Sequence, residues 1–293
     1  SAEKAGGRAI ELLVRVAGDG PEGVERQREQ MRAMVILKPD AIIVQPTDNA
    51  ALAEPLRAAN KAGIPVVAYD QYISGGQLAS YVTSDNRQAG YLDGEYVASL
   101  YPDDRQIRLV LVEYPRGASP VERLDGLLDA LRDAGQRYRV LGTYEAVEPV
   151  GGRAAGERIL KDFPAAGSID VIFAVNDGGG LAVVDVLAAA GRSEIVVASV
   201  DGDPQSVENI RNGRLTRIDS AQFCGPLGAE ALKAAYAIVT GNPPPHRALV
   251  PVFPITRETL ALYPGWRGPI PASFAKPWAS STPTWAGQVK VEF

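Results

Sequence analysis

The sequence predicts an α/β protein built on two parallel, helix-flanked sheets. Three observations lead there. Short apolar runs alternate with amphipathic stretches along most of the 293 residues, the rhythm of strand–helix–strand units. Runs such as 41–44, 65–68, 109–112 and 171–175 are apolar at consecutive positions, and 195–200 is so except for Ser199, as strands covered on both faces must be. A polar turn, Tyr101-Pro102-Asp103-Asp104, falls midway through the units, and 46% hydrophobic content is enough for two cores.

In order, strands are expected at Ile10–Val16, Ala41–Gln45, Pro65–Tyr69, Tyr81–Thr83, Ile107–Glu113, Arg139–Thr143, Asp170–Val175, Ile195–Val200, Leu215–Ser220 and Leu249–Phe253. Helices are expected near 22–37, 49–61, 86–100, 119–134, 152–162, 177–190, 204–212 and 226–240. Ser84-Asp85 and Ser119-Pro120 read as helix starts. Gly63 and Gly135 read as C-caps. Residues 263–293 differ in kind, carrying Pro264, Pro269, Pro271, Pro277 and Pro283 with all three tryptophans, Trp266, Trp278 and Trp285. They read as an extended surface arm anchored by its indoles, with a disordered tail as the alternative.

Composition excludes several classes. Thirty basic against thirty-five acidic residues, net charge −5, with no Lys/Arg block, argue against a nucleic-acid partner. The lone Cys224 excludes an internal disulfide and a structural cysteine-based zinc site. No apolar run is long enough to cross a bilayer. Ser1-Ala2-Glu3-Lys4 lacks the apolar core of a signal peptide, so an exported protein would have a leader removed or outside this sequence. Asp201-Gly202-Asp203 is too short for a calcium loop, and Asp203-Pro204 reads as a helix start. No cofactor is predicted.

In open parallel sheets, ligands bind beyond the carboxyl ends of the strands. Here those ends carry Asp70-Gln71-Tyr72, Glu113-Tyr114-Pro115-Arg116, Asn176-Asp177, Asp201 and Gln222. Carboxylates and amides bridge adjacent hydroxyls well, which suits a polyhydroxylated ligand. For any single position, a helix N-cap is the competing reading. Catalysis has little support. The only histidine, His246, lies in the proline-rich turn after Asn242, away from the strand ends. The chain has no nucleophile elbow and no phosphate-binding P-loop. Gly178-Gly179-Gly180 lacks the spacing of a dinucleotide fingerprint.

At these residues the chain resembles the type I periplasmic binding proteins, in the ribose- and galactose-binding group. The matching segments are PDAIIVQPTDNAALAEPLRAANKAGIPVVAYD, YVTSDNRQAGYLDGEYVA, SPVERLDGLLDAL, VIFAVNDGGGLAVVDVLAAAG and VVASVDGDPQSVENIRNGRL, running in order from residue 8 to residue 255. The resemblance implies two Rossmann-like lobes joined by three hinge crossings, closing on ligand. It places 1–105 and 223–252 in the N-terminal lobe, and 106–222 and 253–262 in the C-terminal lobe, with 263–293 as the arm. It implies ligand-binding roles for Asp70, Arg123, Asn176, Asp201 and Gln222. Gln71 stands where the ribose type has Arg, and no aromatic occupies the region of Val147-Glu148, leaving Glu148 as the polar candidate. Tyr72 and Tyr114 are candidates for stacking.

Residues 1–9 look like the end of the family's first helix, and the strand before it is missing. Either a segment of the natural protein is absent, the preferred reading, or the arm covers the gap. The more acidic pocket suits a neutral monosaccharide or polyol, or a cationic amine, and argues against a phosphorylated ligand. Also implied are a periplasmic location, a monomer, no enzymatic activity, and an ABC transporter permease or a membrane receptor as partner. The effector core of a sugar-responsive repressor is the other alternative, which would need an N-terminal helix-turn-helix.

Overall fold

The computed structural model describes Gly7, residues 9–18, 20–102 and 104–293. These form two compact units, one from residues 1–84, 225–250 and 289–293, the other from 85–224 and 251–288.

The first unit carries α1 (Gly20–Leu37), β1 (Ile42–Val44), α2 (Ala53–Lys61), β2 (Val66–Tyr69) and β3 (Ser80–Ser84). The second unit opens with α3 (Asn86–Ser99), β4 (Ile107–Glu113), α4 (Ala118–Asp133), β5 (Tyr138–Glu145) and α5 (Pro149–Asp162). It continues through β6 (Val171–Ala174), α6 (Asp177–Ala189), β7 (Val196–Asp201), α7 (Pro204–Asn212) and β8 (Thr216–Ala221). Then come α8 (Cys224–Val239), β9 (Arg247–Val250), β10 (Phe253–Thr256), β11 (Phe274–Ala275), β12 (Thr284–Trp285) and β13 (Lys290–Glu292).

In the first unit the sheet order is β1-β2-β3-β9-β13, with only β13 antiparallel to its neighbour. Leu52, Leu56 and Ala59 recur at helical spacing and are fully buried against Ile42, Val66, Ala68 and Ile73. Gly63 ends this helix with φ +71°, a conformation that costs glycine nothing.

In the second unit the order is β10-β8-β7-β6-β4-β5, parallel except for the edge strand β10. The consecutive apolar residues Val171 to Ala174 are all buried, as a central strand covered by helices requires. Helices α3 and α4 approach until backbones touch. A Cβ on Gly90 would lie 1.7 Å from the Arg123 carbonyl oxygen, and one on Gly126 would lie 2.1 Å from that of Arg87.

The structure departs from the sequence reading in three places. Residues 10–16 form no strand, and Leu12, Val14 and Val16 are exposed. No described strand pairs with this stretch, and a strand needs a ladder partner. The expected strand Leu249–Phe253 is two, β9 and β10, in different sheets. Proline at 251 removes the ladder donor between them. Helix α3 belongs to the second unit, so the division falls at Ser84/Asp85 and not at the Tyr101 turn. The glycine-lined contact with α4 draws it there.

The arm is ordered by its indoles. Trp285 is fully buried, stacks on Phe274 and donates to the Val252 carbonyl at 2.8 Å. Trp278 meets Tyr96 edge-on. Lys276 pairs with the buried Glu95. The arm's last strand, β13, adds to the sheet beside β9, at the edge opposite β1.

Asp170, just before β6, accepts from Arg105 Nη2 at 2.6 Å, Arg108 Nη2 at 2.8 Å and the Arg108 amide at 2.8 Å. Burial works against ionisation, but these bonds outweigh it and hold the carboxyl near a pKa of about 2. Its stabilisation is present above the ordinary carboxylate range and is lost as pH falls towards 2. Asp170→Asn should cost about 2 kcal/mol at neutral pH, allowing for the half-exposed arginines. Urea midpoints of the two proteins should converge as pH is lowered from 5 to about 2.

Candidate functional site

Site residues of the second unit gather where β6, β7 and β8 end. The hub is Arg123, on the face of α4 turned towards the sheet and only 6% exposed. Its Nε donates to Asn86 Oδ1 at 2.9 Å. Its Nη1 donates to the Val175 carbonyl at 2.8 Å and to Asp201 Oδ1 at 3.0 Å. One buried cation thus ties the start of α3 to the ends of β6 and β7. Gln222, just beyond β8, donates from Nε2 to the same Asp201 oxygen at 2.6 Å, and from its amide to the Asp201 carbonyl at 3.1 Å. Asp201 is fixed from two sides while a quarter of its side chain stays exposed.

Asp201 has φ +128°, a value that strains any residue with a Cβ and persists only where the surroundings enforce it. Trp266 of the arm contributes to that enforcement, donating its indole N–H to the Asp201 carbonyl at 2.7 Å. Behind the loop lie three buried carboxyls, Asp93, Asp177 and Asp219. Burial raises Asp177 well above the carboxylate range, and the charges of Asp219 and Asp201 add to the effect. Burial likewise pushes Asp219 up to about 6, against hydrogen bonds that oppose the rise. Asp93 is raised by burial despite the Ser220 hydroxyl that donates to it.

The other candidates have local partners. Asn176 is the N-cap of α6, accepting from Gly179 N at 3.2 Å and donating to the Val147 carbonyl at 3.0 Å. Glu148 is the N-cap of α5, accepting from Val150 N at 2.8 Å and Gly151 N at 2.6 Å. The capping alternative raised for the strand ends therefore describes Asn176, and Glu148, a candidate only through the resemblance, is a cap as well. Tyr114 lies under the guanidinium of Arg116, 4.8 Å from its ring centre.

The first unit places Asp70, Gln71 and Tyr72 just beyond β2. Asp70 has φ +64° and is held on all sides. Its amide donates to the Val82 carbonyl at 2.8 Å. Its own carbonyl accepts from Tyr81 and Thr83 hydroxyls at 3.0 and 3.1 Å. Gln45 donates to its Oδ2 at 2.8 Å. The Gln71 amide closes a short turn onto the Tyr69 carbonyl. Tyr72 meets Tyr81 edge-on and is exposed. The two candidate aspartates are thus both strand-end residues with positive φ, a geometry shared by only two other non-glycine described residues, Lys38 and Leu215.

Sequence reasoning missed Asn86, Asp219 and Trp266 as parts of the site. Asp219 had a readable signal, a carboxylate between Ile218 and Ser220 in the middle of a strand expected to be covered on both faces. Asn86 and Trp266 had none, because their partners lie far along the chain.

Parallel sheets whose strand ends present fixed carboxylates and amides can hold a small polar molecule. The chain belongs to the periplasmic binding protein domain family, whose model matches residues 1–243. That family consists of binding proteins and not of enzymes. The chain is 27% identical over 203 residues to the ribose import binding protein of Escherichia coli. That match takes in 69% of this chain and 66% of that protein, so the chain spans just under two thirds of this relative's length. Among solved structures it is similar to a solute-binding protein of Actinobacillus succinogenes with bound D-allose. There the identity is 24% and the TM-score 0.76, over 89% of this chain and 91% of that one. It is also similar to a Bacillus halodurans solute-binding protein with bound myo-inositol. In that case the identity is 24% and the TM-score 0.70, over 81% of this chain and 82% of that one. At these identities the two structures establish the fold.

The capping reading of Glu148 makes a measurable claim. Glu148→Ala should lower stability by about 1 kcal/mol through the lost cap, and ligand affinity should stay within twofold by calorimetry.

Proposed function

We propose that this protein is an extracytoplasmic solute-binding protein that captures a monosaccharide or polyol and delivers it to an ABC importer. No bond is made or broken. The observation that carries the reading is the state of Asp201, a carboxylate held by a buried arginine and a glutamine yet still reaching the surface. A carboxylate in that position accepts hydrogen bonds from hydroxyl groups. Because Arg123 and Gln222 already hold it, little side-chain entropy remains to be lost on binding. Asp70, with its backbone and carboxylate equally constrained, supports the same use of strand-end aspartates.

The relatives agree with the ligand class. One is a ribose import protein, and the two solved structures hold an aldose and a cyclic polyol. Gln71 in place of a second cation favours uncharged ligands over phosphorylated ones. The lone histidine supports binding over catalysis. Its backbone serves the first unit's sheet, with its amide donating to Glu292 and its carbonyl accepting from Tyr81. A ligand sensor reporting to a membrane receptor would use the same chemistry and differ only in its partner.

A thermal-shift screen with D-ribose, D-allose, D-galactose and myo-inositol tests the reading. A ligand at a hundredfold excess over its Kd should raise the melting temperature by about 5 °C. Asp201→Asn should remove most of that shift, measured against the variant's own ligand-free midpoint, which falls because the bond to Arg123 is weakened. Flat responses across sugars and polyols would refute the ligand class.

A further inference from the structure

Two consecutive amides of the loop after β7 end on buried carboxylates. Gly202 N donates to Asp219 Oδ1 at 2.8 Å, and Asp203 N donates to Asp177 Oδ2 at 2.7 Å. The Ser199 hydroxyl holds the other Asp177 oxygen at 2.6 Å. Asp219 Oδ2 is buried with no donor at hydrogen-bonding distance among the described residues. Both carboxyls are buried, and the charge of Asp219 adds to burial in opposing ionisation of Asp177, so the pair keeps one proton at neutral pH. The loop cannot shift freely above this pair. Gly202 has φ +79°, and a Cβ there would meet Ala221 Cβ at 2.4 Å and the Tyr263 hydroxyl at 3.0 Å.

We propose that Asp177 and Asp219 share one proton and act as positioning residues, tethering the Asp201–Asp203 loop so that Asp201 keeps its strained, ligand-ready backbone. The inference rests on the reading of Asp201 as a ligand-binding group. Neither buried carboxyl need touch ligand. Their effect passes through the two loop amides to Asp201, whose carbonyl is held in turn by Trp266 and Gln222.

The arrangement makes the loop sensitive to mild acid. Several groups face the pair: Asp93 from α3, on which Arg123 of α4 acts, Asp201 at the end of β7, Asp203 and Ser206 at the start of α7, and Tyr263 of the arm. Of these only Arg123 is cationic, and Asp201 engages it directly. At neutral pH one proton between the carboxyls leaves a single negative charge, so the Gly202 amide donates to a charged acceptor. Uptake of a second proton by Asp219, centred at about 6, turns that acceptor neutral and roughly halves the bond's strength. Asp219 is a carboxyl whose folded value is raised, so its protonation is favoured in the fold. The change therefore loosens the loop without unfolding the unit.

The test uses Trp266 as reporter in ligand-free protein. Its emission, assigned by difference from Trp266→Phe, should show a transition with midpoint near pH 6. That transition should vanish in Asp177→Asn/Asp219→Asn, with native far-UV circular dichroism retained. D-ribose or D-allose affinity should fall about fivefold from pH 7.5 to 5.5 in the natural sequence, and should be flat in the double variant. Emission that ignores pH, or a transition that survives the double substitution, would overturn the proposal. Should the double variant not fold, carboxyl carbon NMR of the unaltered protein decides. A resonance lost in Asp219→Asn and titrating near 6 supports the shared proton, and one titrating near 4 refutes it. Failure of every sugar to bind would refute the proposed ligand class, while the emission titration would still decide the tether.

Discussion

A guanidinium buried among main-chain carbonyls and carboxylates must be satisfied on every side, and Arg123 imposes that requirement on the second unit. Removing it would take a donor from the Asn86 side chain, the Val175 carbonyl and the Asp201 carboxylate at once. Unpaired buried acceptors are costly. The helices must therefore sit where the arginine reaches all three. The glycine contacts between α3 and α4 serve that geometry, because side chains at Gly90 or Gly126 would push the arginine's helix away.

Strain then concentrates where function needs it. Asp70 and Asp201 occupy backbone conformations that carry an energetic penalty, and each is surrounded by hydrogen bonds that offset it. A carboxylate held this way loses little freedom on meeting a hydroxyl. The arm adds to this organisation, since Tyr263 packs against the 201–203 loop and Trp266 bonds its first residue. A segment that reads as a surface tail thus supplies part of the support behind the site.

The fold was legible because its signals are local. Apolar runs at 107–113 and 171–175 need no knowledge of their neighbours to read as covered strands, and glycines at 63 and 135 end helices by their own conformational freedom. What stayed hidden depends on distant partners. The stretch 10–16 has a strand's composition, but composition does not supply a ladder. Helix α3 reads as the end of one unit, and only its fit against Gly126 places it in the other. Of the candidates, Asp201 and Gln222 were legible as strand ends and Arg123 only through the family pattern, and both Arg123 and Gln222 bond the Asp201 carboxylate. Glu148 and Asn176 show the opposite lesson, since polar residues after strands are often caps and these two cap helices.

The central claim is that Arg123 and Asp201 act as one unit before any ligand arrives. A double-mutant cycle of Arg123→Met and Asp201→Asn, measured by urea unfolding without ligand, tests it most directly. The two substitutions should be coupled by about 1.5–3 kcal/mol, as expected for a buried, charge-assisted bond. Effects that add to within about 0.5 kcal/mol would contradict the account.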